Sequence, residues 1–252
     1  MAVTAKLVKE LREKTGAGMM DCKKALVETD GDIDKAIDVL REKGLSKAAK
    51  KADRIAAEGL VRLSFSEDHA KAAVVEVNSE TDFVAKNPEF VEFVETLADM
   101  VLESENDSLD AFMELPYPGE GTVRDALTAK ISKIGENMTI RRIRKVNTPG
   151  TVYTGYLHGG GKIGVIVGIK TDASAGEIET AGKDVAMQVA SMNPRFVNES
   201  EVDQDWLEGE KEIARQQLLN EGKPENLLDK IIPGKVKRSE EHTSELQSPT
   251  SI

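Results

Sequence analysis

The hydrophobic period of this chain changes at Gly59, and this change constrains the fold more than any other feature. Before it, apolar residues recur at the three-to-four-residue spacing that places them on one face of an α-helix. After it, apolar and polar residues alternate over Leu60–Ser66 and Lys71–Val77, as they do in half-buried β-strands. The sequence therefore predicts an α+β fold in which a helical module precedes an antiparallel hairpin.

Three short amphipathic helices are predicted within residues 1–54. The first ends in Thr15-Gly16-Ala17-Gly18, where glycine can adopt a left-handed cap, and the third begins after Asp32 and closes at Gly44. Helices this short are stable only when they pack on one another. The basic, alanine-rich segment Lys47–Arg54 is expected to form a helical connector to the next domain.

One plan, a hairpin followed by Thr-Asp and a helix, occurs twice in the chain. The pair is Thr81-Asp82 in the first copy and Thr171-Asp172 in the second. This recurrence predicts two related hairpin-plus-helix core subdomains, followed by a helical hairpin arm. The predicted domains are 1–54 for the helical module and its connector, 55–147 and 148–198 for the two subdomains, 199–237 for the arm and 238–252 for a tail.

Composition excludes several classes of protein. The net charge of −11 argues against a general nucleic-acid binder, because neutralising phosphates requires a basic surface. The single cysteine, Cys22, suits a reducing compartment, and it is expected to be a small buried side chain within a helix. No apolar run approaches membrane-spanning length. We therefore expect a cytoplasmic protein without a direct nucleic-acid or membrane partner.

Residues with catalytic or metal-binding chemistry are scarce. His69, His158 and His242 are not spaced with Cys, Ser or carboxylates as a metal or nucleophile site requires. The glycines after His158 lead to a lysine followed by Ile163, whereas a phosphate-binding loop needs Ser or Thr there. The sequence predicts no enzyme active site, no cofactor and no bound metal.

The most unusual connection is Thr81-Asp82-Phe83-Val84, which places a carboxylate beside a large aromatic ring. It precedes Asn87, the predicted N-cap of a helix that starts with Pro88. Local reasoning favours a Phe83 that folds back on the core, and the alternative is a ring displayed to a partner. Met19-Met20 poses a similar question: only one of the two can point fully into a three-helix core, which would leave the other displayed to a partner, and the alternative is that both are core residues.

The terminal segment 238–252, RSEEHTSELQSPTSI, differs in kind from the rest of the chain. It has no apolar period and is rich in Ser, Thr and Glu. A solvated, disordered terminus is one interpretation. We favour the other, an adapter-like tail that is not native sequence, because the segment resembles a translated sequencing adapter, and we exclude it from fold reasoning.

Two long motifs, LREKTGAGMMDCKKAL at Leu11–Leu26 and EVNSETDFVAK at Glu76–Lys86, resemble the signatures of the translation elongation factor Ts family. Ile134-Gly135-Glu136-Asn137, Ile140-Arg141-Arg142 and the His158-Gly159 turn follow in the family's order. The resemblance implies a guanine-nucleotide exchange factor that acts by binding rather than by covalent chemistry. Its partner would be elongation factor Tu, the GTPase that delivers aminoacyl-tRNA.

The resemblance also implies an architecture and a set of site residues. The first module would be ubiquitin-associated-like and contact the GTPase domain, and the arm would offer a dimerisation surface for the complex. Thr81, Asp82, Phe83 and Val84 would enter the partner near its nucleotide and dislocate Mg²⁺. The expected contacts with elongation factor Tu are Met19, Met20, Lys23, Thr81, Asp82, Phe83, Val84, Ile134, Gly135 and His158.

The resemblance ends at Gly234-Lys235-Val236-Lys237, after which the family's phenylalanine and following strand are absent. The second subdomain is therefore expected to be incomplete, with an unpaired sheet edge. Two alternatives remain for function. One is a protein-interaction module with a ubiquitin-associated-like domain, in which Asp82 and Phe83 have no role. The other is an enzyme that uses carboxylates in a core cleft.

Overall fold

The structure is a computed structural model, and it describes residues 3–105, 108–119, 121–194, 196–197, 201–224, 227–228 and 230–234. His242, the arm residues 199–200 and 235–237, and the segment 238–252 lie outside these residues. The helices are α1 (Ala5–Thr15), α2 (Met19–Glu28), α3 (Ile33–Ala49), α4 (Asp82–Ala85), α5 (Pro88–Glu103), α6 (Leu109–Met113), α7 (Val123–Ile134), α8 (Ala175–Met192) and α9 (Gln204–Asn220). The strands are β1 (Glu58–Phe65), β2 (Ala72–Ser79), β3 (Met138–Val146), β4 (Thr151–His158) and β5 (Ile163–Lys170). The α+β class is confirmed, and the domain bounds drawn from the sequence stay predictions.

The first three helices pack on one another around a small core of their own. Gly16 ends α1 in the left-handed region at φ 63°, and Asp32 caps α3 by accepting the Lys35 N–H at 3.1 Å. Cys22 is fully buried, as expected, and this burial raises the pKa of its thiol. The buried apolar residues of this module are Val8, Leu11, Cys22, Ala25, Leu26 and Ala36.

The prediction that the third helix closes at Gly44 is wrong. Helix α3 continues to Ala49, and Gly44 is buried where α3 meets α7. A Cβ added at Gly44 would stand 3.8 Å from Thr128 Cγ2 and 3.9 Å from Ser132 Cβ. These are ordinary van der Waals distances, so the space at this position does not require glycine. Burial of the position against α7 outweighs the weak helix propensity of glycine, and the helix continues.

The first sheet is antiparallel, with strand order β1-β2-β3, and α5 packs on one of its faces. Alternate residues of β2, including Val75 and Val77, are buried beneath α5. Gly59, the second residue of β1, has φ 138°, and a Cβ there would collide with the Val77 carbonyl of β2. Only glycine fits at this position of the β1–β2 pair, which lies close to the end of β2 and to the segment that follows it.

The second sheet consists of β4 and β5, which are antiparallel and joined by a glycine turn. Helix α8 packs on one face of this hairpin, and the other face lies against β1. The approach to β1 is close because glycines face it: a Cβ at Gly155 would stand 2.7 Å from Leu63 Cδ1. Val61 N–H also donates to the Gly161 carbonyl at 2.7 Å. The second sheet therefore packs on the first sheet along β1.

The remaining described helices follow α8. Helix α9 packs against a helical segment at 227–228 and 230–234 through Ala214, Leu218, Leu228 and Ile232. None of the described helices combines the length with the apolar composition that a bilayer crossing needs.

Candidate partner-binding site

Phe83 is 80 % exposed at the tip of α4, a single helical turn between β2 and α5. The interpretation that Phe83 folds back on the core is therefore wrong. Its neighbours Val84 and Ala85 are buried and anchor the turn in the core of the first sheet. Thr81 caps the turn, since its hydroxyl accepts the Val84 N–H at 3.5 Å. The ring is displayed from a backbone that is anchored on both sides.

Glu136 holds the start of this turn from a distant part of the sequence. Its carboxylate accepts the Thr81 N–H at 3.0 Å and the Thr81 hydroxyl at 2.7 Å. Glu136 directly follows Gly135, which ends α7 in the left-handed conformation at φ 91°. Hydrogen bonds to an ionised acceptor are stronger than neutral ones. The end of α7 therefore fixes the position from which Phe83 projects.

Asn137 makes a second link beside the first. Its backbone N–H donates to Glu80 Oε1 at 2.5 Å, and its side-chain amide donates to the Arg54 carbonyl at 2.7 Å. Asn137 is buried, so these bonds are shielded from water. We call Glu136 and Asn137, with their partners Thr81 and Glu80, the Glu136–Asn137 clamp.

Asp82 lies beside the exposed ring and carries a negative charge. Lys86 Nζ contacts its carboxylate at 2.6 Å, and this bond and charge, with a smaller contribution from Lys162, lower the pKa of Asp82. Lys162 in turn pairs with Glu58 at 3.2 Å. The Asp82–Lys86 pair is solvent-exposed, and exposed pairs are weak and easily exchanged. Asp82 can therefore leave Lys86 for a group on a partner.

The two methionines are both displayed. Met19 is 56 % and Met20 61 % exposed, so neither fills the three-helix core, and the interpretation that both are core residues is wrong. Lys23 is also exposed. The turn that precedes Met19 lies against the end of α7, where a Cβ on Gly16 would stand 3.5 Å from Lys133 Nζ. The structure thus brings the α1–α2 turn beside the end of α7.

Ile134 and Gly135 lie at the end of α7 and so belong to the same region as the clamp; Ile134 is half-buried and Gly135 exposed. His158 is exposed at the end of β4, where its Nδ1 lies 3.0 Å from the Tyr156 hydroxyl. The His158 turn is tied to the first sheet through the Lys162–Glu58 pair. Of the predicted residues, Thr81–Val84 are thus linked to Ile134 and Gly135 through Glu136, and His158 lies on a separate turn.

Sequence reasoning missed the clamp and the helical nature of α4. Glu136 and Asn137 stand inside a motif that carried the family resemblance, but nothing local to them indicates a bond to a residue 55 positions away. No three His, Cys, Asp or Glu side chains within the described ranges gather to hold a metal ion. The chemistry that this surface offers is binding: an aromatic ring, a carboxylate, two thioethers and a lysine.

Comparisons with a family model and with individual known proteins point to the same family. The family model described as Elongation factor TS matches residues 80–247, which include the exposed ring, the clamp and part of the segment after Lys237. Elongation factor Ts from Clostridium perfringens strain 13 is 52 % identical over 236 residues, which cover 94 % of this chain and 78 % of the relative. Elongation factor Ts from Clostridioides difficile strain 630 is 51 % identical with the same coverage. The protein of that name from Clostridium tetani is 51 % identical over 238 residues.

Proposed function

This chain belongs to the elongation factor Ts family of translation factors, and from that premise we propose how it acts as a nucleotide exchange factor for elongation factor Tu. In this proposal it binds the GDP-bound partner and disturbs the Mg²⁺ and phosphate site, so that GDP leaves and GTP replaces it. The observation that carries the proposal is an aromatic ring that is 80 % exposed on an anchored turn.

An exposed phenylalanine supplies binding energy when a partner covers it. Full burial of such a side chain is worth roughly 1.5–3 kcal/mol. Val84 and the Glu136–Asn137 clamp hold the turn, so little conformational entropy remains to be lost when the ring enters a partner. Phe83 is therefore suited to act as a wedge that separates packed side chains around a partner's nucleotide site.

Asp82 contributes charge at the same place. GDP is held by Mg²⁺ and by backbone donors that cradle its phosphates. A carboxylate brought beside these groups competes with the phosphates for them or repels the phosphates. Because the pKa of Asp82 is lowered by Lys86, Asp82 is ionised at neutral pH.

Exchange then follows from thermodynamic linkage. A factor that binds nucleotide-free partner more tightly than nucleotide-bound partner weakens GDP by the same ratio by which GDP weakens the factor. GTP later displaces the factor by the same reciprocity. No covalent step is needed.

The remaining predicted residues would enlarge the contact with elongation factor Tu. We assign Met19, Met20 and Lys23 of the first, ubiquitin-associated-like module to contacts with the GTPase domain. Ile134, Gly135 and His158 are assigned to contacts with elongation factor Tu. The arm presents Ile213 and Leu219 as exposed apolar residues, and we propose this surface for dimerisation of the complex. The site of action is the cytoplasm.

Release of labelled GDP from elongation factor Tu tests the proposal. The chain should accelerate release, and Phe83→Ala should slow the catalysed rate about tenfold, which corresponds to about 1.4 kcal/mol. Met187→Ala is the matched control, because Met187 is an exposed apolar residue on α8. An unchanged rate for Phe83→Ala would support the alternative of a simple interaction module.

A further inference from the structure

Ile55 is the most exposed of the large apolar side chains that the structure describes, with 85 % of its surface open to solvent. It follows the connector after α3 and precedes β1, in a short stretch without regular structure. A single exposed apolar residue needs no explanation in itself. Ile55 is different because its backbone is anchored on both sides and because it lies near the turn that displays Phe83.

The backbone that carries Ile55 is held at both ends. On the N-terminal side, the Arg54 carbonyl accepts a hydrogen bond from the side-chain amide of the buried Asn137 at 2.7 Å. On the C-terminal side, the Glu58 carbonyl accepts a hydrogen bond from the Asn78 side-chain amide at 3.1 Å. Because only a short stretch separates these two anchors, little conformational entropy remains to be lost when a partner covers the Ile55 side chain.

Both anchors of this segment are in contact with the region that holds the Phe83 turn. Arg54 Nη1 lies 3.5 Å from Glu80 Oε1, an atom that belongs to the Glu136–Asn137 clamp. Helix α4, which carries Phe83, also contacts β1, the strand that begins at Glu58. Ile55 and Phe83 are therefore displayed from neighbouring segments, and the clamp holds both of them.

The charge around Ile55 is opposite in sign to that of the whole chain. The chain has a net charge of −11, whereas the connector Lys47–Arg54 contains four basic residues and one acidic residue. Within the described part of the chain, the exposed Lys50 forms no ion pair. Cations placed beside a nucleotide would strengthen the binding of its phosphates, which is the opposite of what exchange requires. The Ile55 segment is therefore suited to a protein surface that offers carboxylates, at a distance from the phosphates.

We propose that Ile55 is a second apolar contact with elongation factor Tu, which strengthens docking but takes no part in displacing the nucleotide. This role presupposes the exchange function proposed above. The partner would cover Ile55 with an apolar patch bordered by carboxylates. Such a contact contributes equally to binding of the GDP-bound and of the nucleotide-free partner, so it adds affinity without accelerating release. Phe83, by contrast, favours the nucleotide-free partner, and the two residues act on different steps.

Release of labelled GDP from elongation factor Tu, measured over a range of concentrations of the full chain, tests this role. Ile55→Ser should raise the half-saturating concentration about tenfold and leave the maximal rate unchanged, because it removes a uniform contribution to binding. Ile55→Met, which restores an apolar side chain, should recover most of the loss. Val27→Ser is the matched control, since Val27 is a β-branched residue that is 59 % exposed on α2, and it should behave as the wild type.

A direct binding measurement separates this role from the exchange function. Ile55→Ser should bind GDP-bound elongation factor Tu about tenfold more weakly than the wild type, even if the chain fails to accelerate GDP release. Binding without accelerated release would overturn the exchange function alone, and no binding by the wild type would overturn both. Three results would overturn the role of Ile55: an unchanged half-saturating concentration for Ile55→Ser, a lowered maximal rate, or a concentration-dependent dimer of the chain that Ile55→Ser abolishes.

Discussion

The two hairpin-plus-helix units of this chain share a plan but differ in how firmly they are built. In the first, Phe90, Phe93 and Val94 of α5 are buried on a three-stranded sheet. In the second, the buried residues of α8 are Gly182 and Ala186, which pack on a two-stranded hairpin. The first unit therefore has an aromatic core, and the second has a close contact between small residues.

The difference extends to the Thr-Asp pair that follows each hairpin. Thr81 donates twice to Glu136 and caps a helical turn that displays Phe83. Thr171 instead accepts the Ala173 N–H at 3.0 Å, and no aromatic residue follows. An exposed ring stands only where a distant carboxylate and a buried core hold its backbone. The comparison shows that the exposed ring of Phe83 belongs to the unit with the better-packed core.

The largest expected effect is on the free energy of unfolding, when core side chains of the two units are truncated. Phe90→Ala should lower the free energy of unfolding by about 3–5 kcal/mol, because it leaves a cavity where an aromatic ring was fully buried. Ile169→Ala in the second unit should cost less, since Ile169 is half-buried. Urea unfolding followed by circular dichroism measures both. Equal losses would contradict the difference in packing between the two units.

The next effect concerns the clamp. Glu136→Ala removes both acceptors of Thr81, so α4 should fray and the catalysed release of GDP should slow about tenfold, although Phe83 is intact. Faster hydrogen exchange at the Val84 and Ala85 amides should accompany the loss. Glu177→Ala, which removes the corresponding cap of α8, is the control and should leave exchange activity unchanged. A fully active Glu136→Ala protein would show that Phe83 needs no clamp.

A smaller effect on the free energy of unfolding is expected when the pH is lowered. Arg41 hydrogen-bonds Asp125 at the α3–α7 contact and lowers the pKa of Asp125 to about 2 in the folded protein. The unfolded value is about 3.9, so the ionised pair stabilises the first unit above pH about 4 and this stabilisation is lost as pH falls towards about 2. Arg41 is largely exposed, which limits the effect to about 1 kcal/mol.

The difference in unfolding free energy between wild type and Asp125→Asn should therefore shrink between pH about 5 and about 2.5. Urea titrations at the two pH values measure it. Glu177→Gln, at a second carboxylate whose pKa is lowered, is the comparison in the second unit and should change less. A difference that stays constant with pH would contradict the assigned pair.

The smallest effect is expected from moving the aromatic residue. Ala173→Phe in the Phe83→Ala background places a ring after the second Thr-Asp pair, where none of the described residues holds Thr171 as Glu136 holds Thr81. We expect no recovery of GDP release. Recovery would show that the position of the ring matters less than its presence.

Local signals in the sequence were sufficient for most of the fold. The strands predicted over Leu60–Ser66 and Lys71–Val77 correspond to β1 and β2, and α5 begins at Pro88 with Asn87 as its N-cap, as predicted. Gly44 misled because its role is a tertiary contact with α7, which no local pattern records. The turn α4 was missed because a four-residue helix has no period to detect.

The candidate site, like the fold, could be predicted from the sequence only in part. Motif likeness selected Phe83 and Asp82, but local chemistry alone favoured the buried alternative for Phe83. The backbone that carries this ring is bonded to Glu136, and that bond to Thr81 spans 55 positions. Long-range hydrogen bonds of this kind leave no trace in the spacing of a single sequence, so the local pattern could not indicate how this segment is held.

The Mg²⁺ dependence of GDP release tests the central claim most directly. The rate catalysed by wild type and by Phe83→Ala should be measured on elongation factor Tu with Mg²⁺ and with the metal chelated. If Phe83 acts by disturbing the Mg²⁺ site, the substitution should slow release about tenfold with Mg²⁺ and have almost no effect once the metal is removed. The same loss under both conditions would contradict that mechanism.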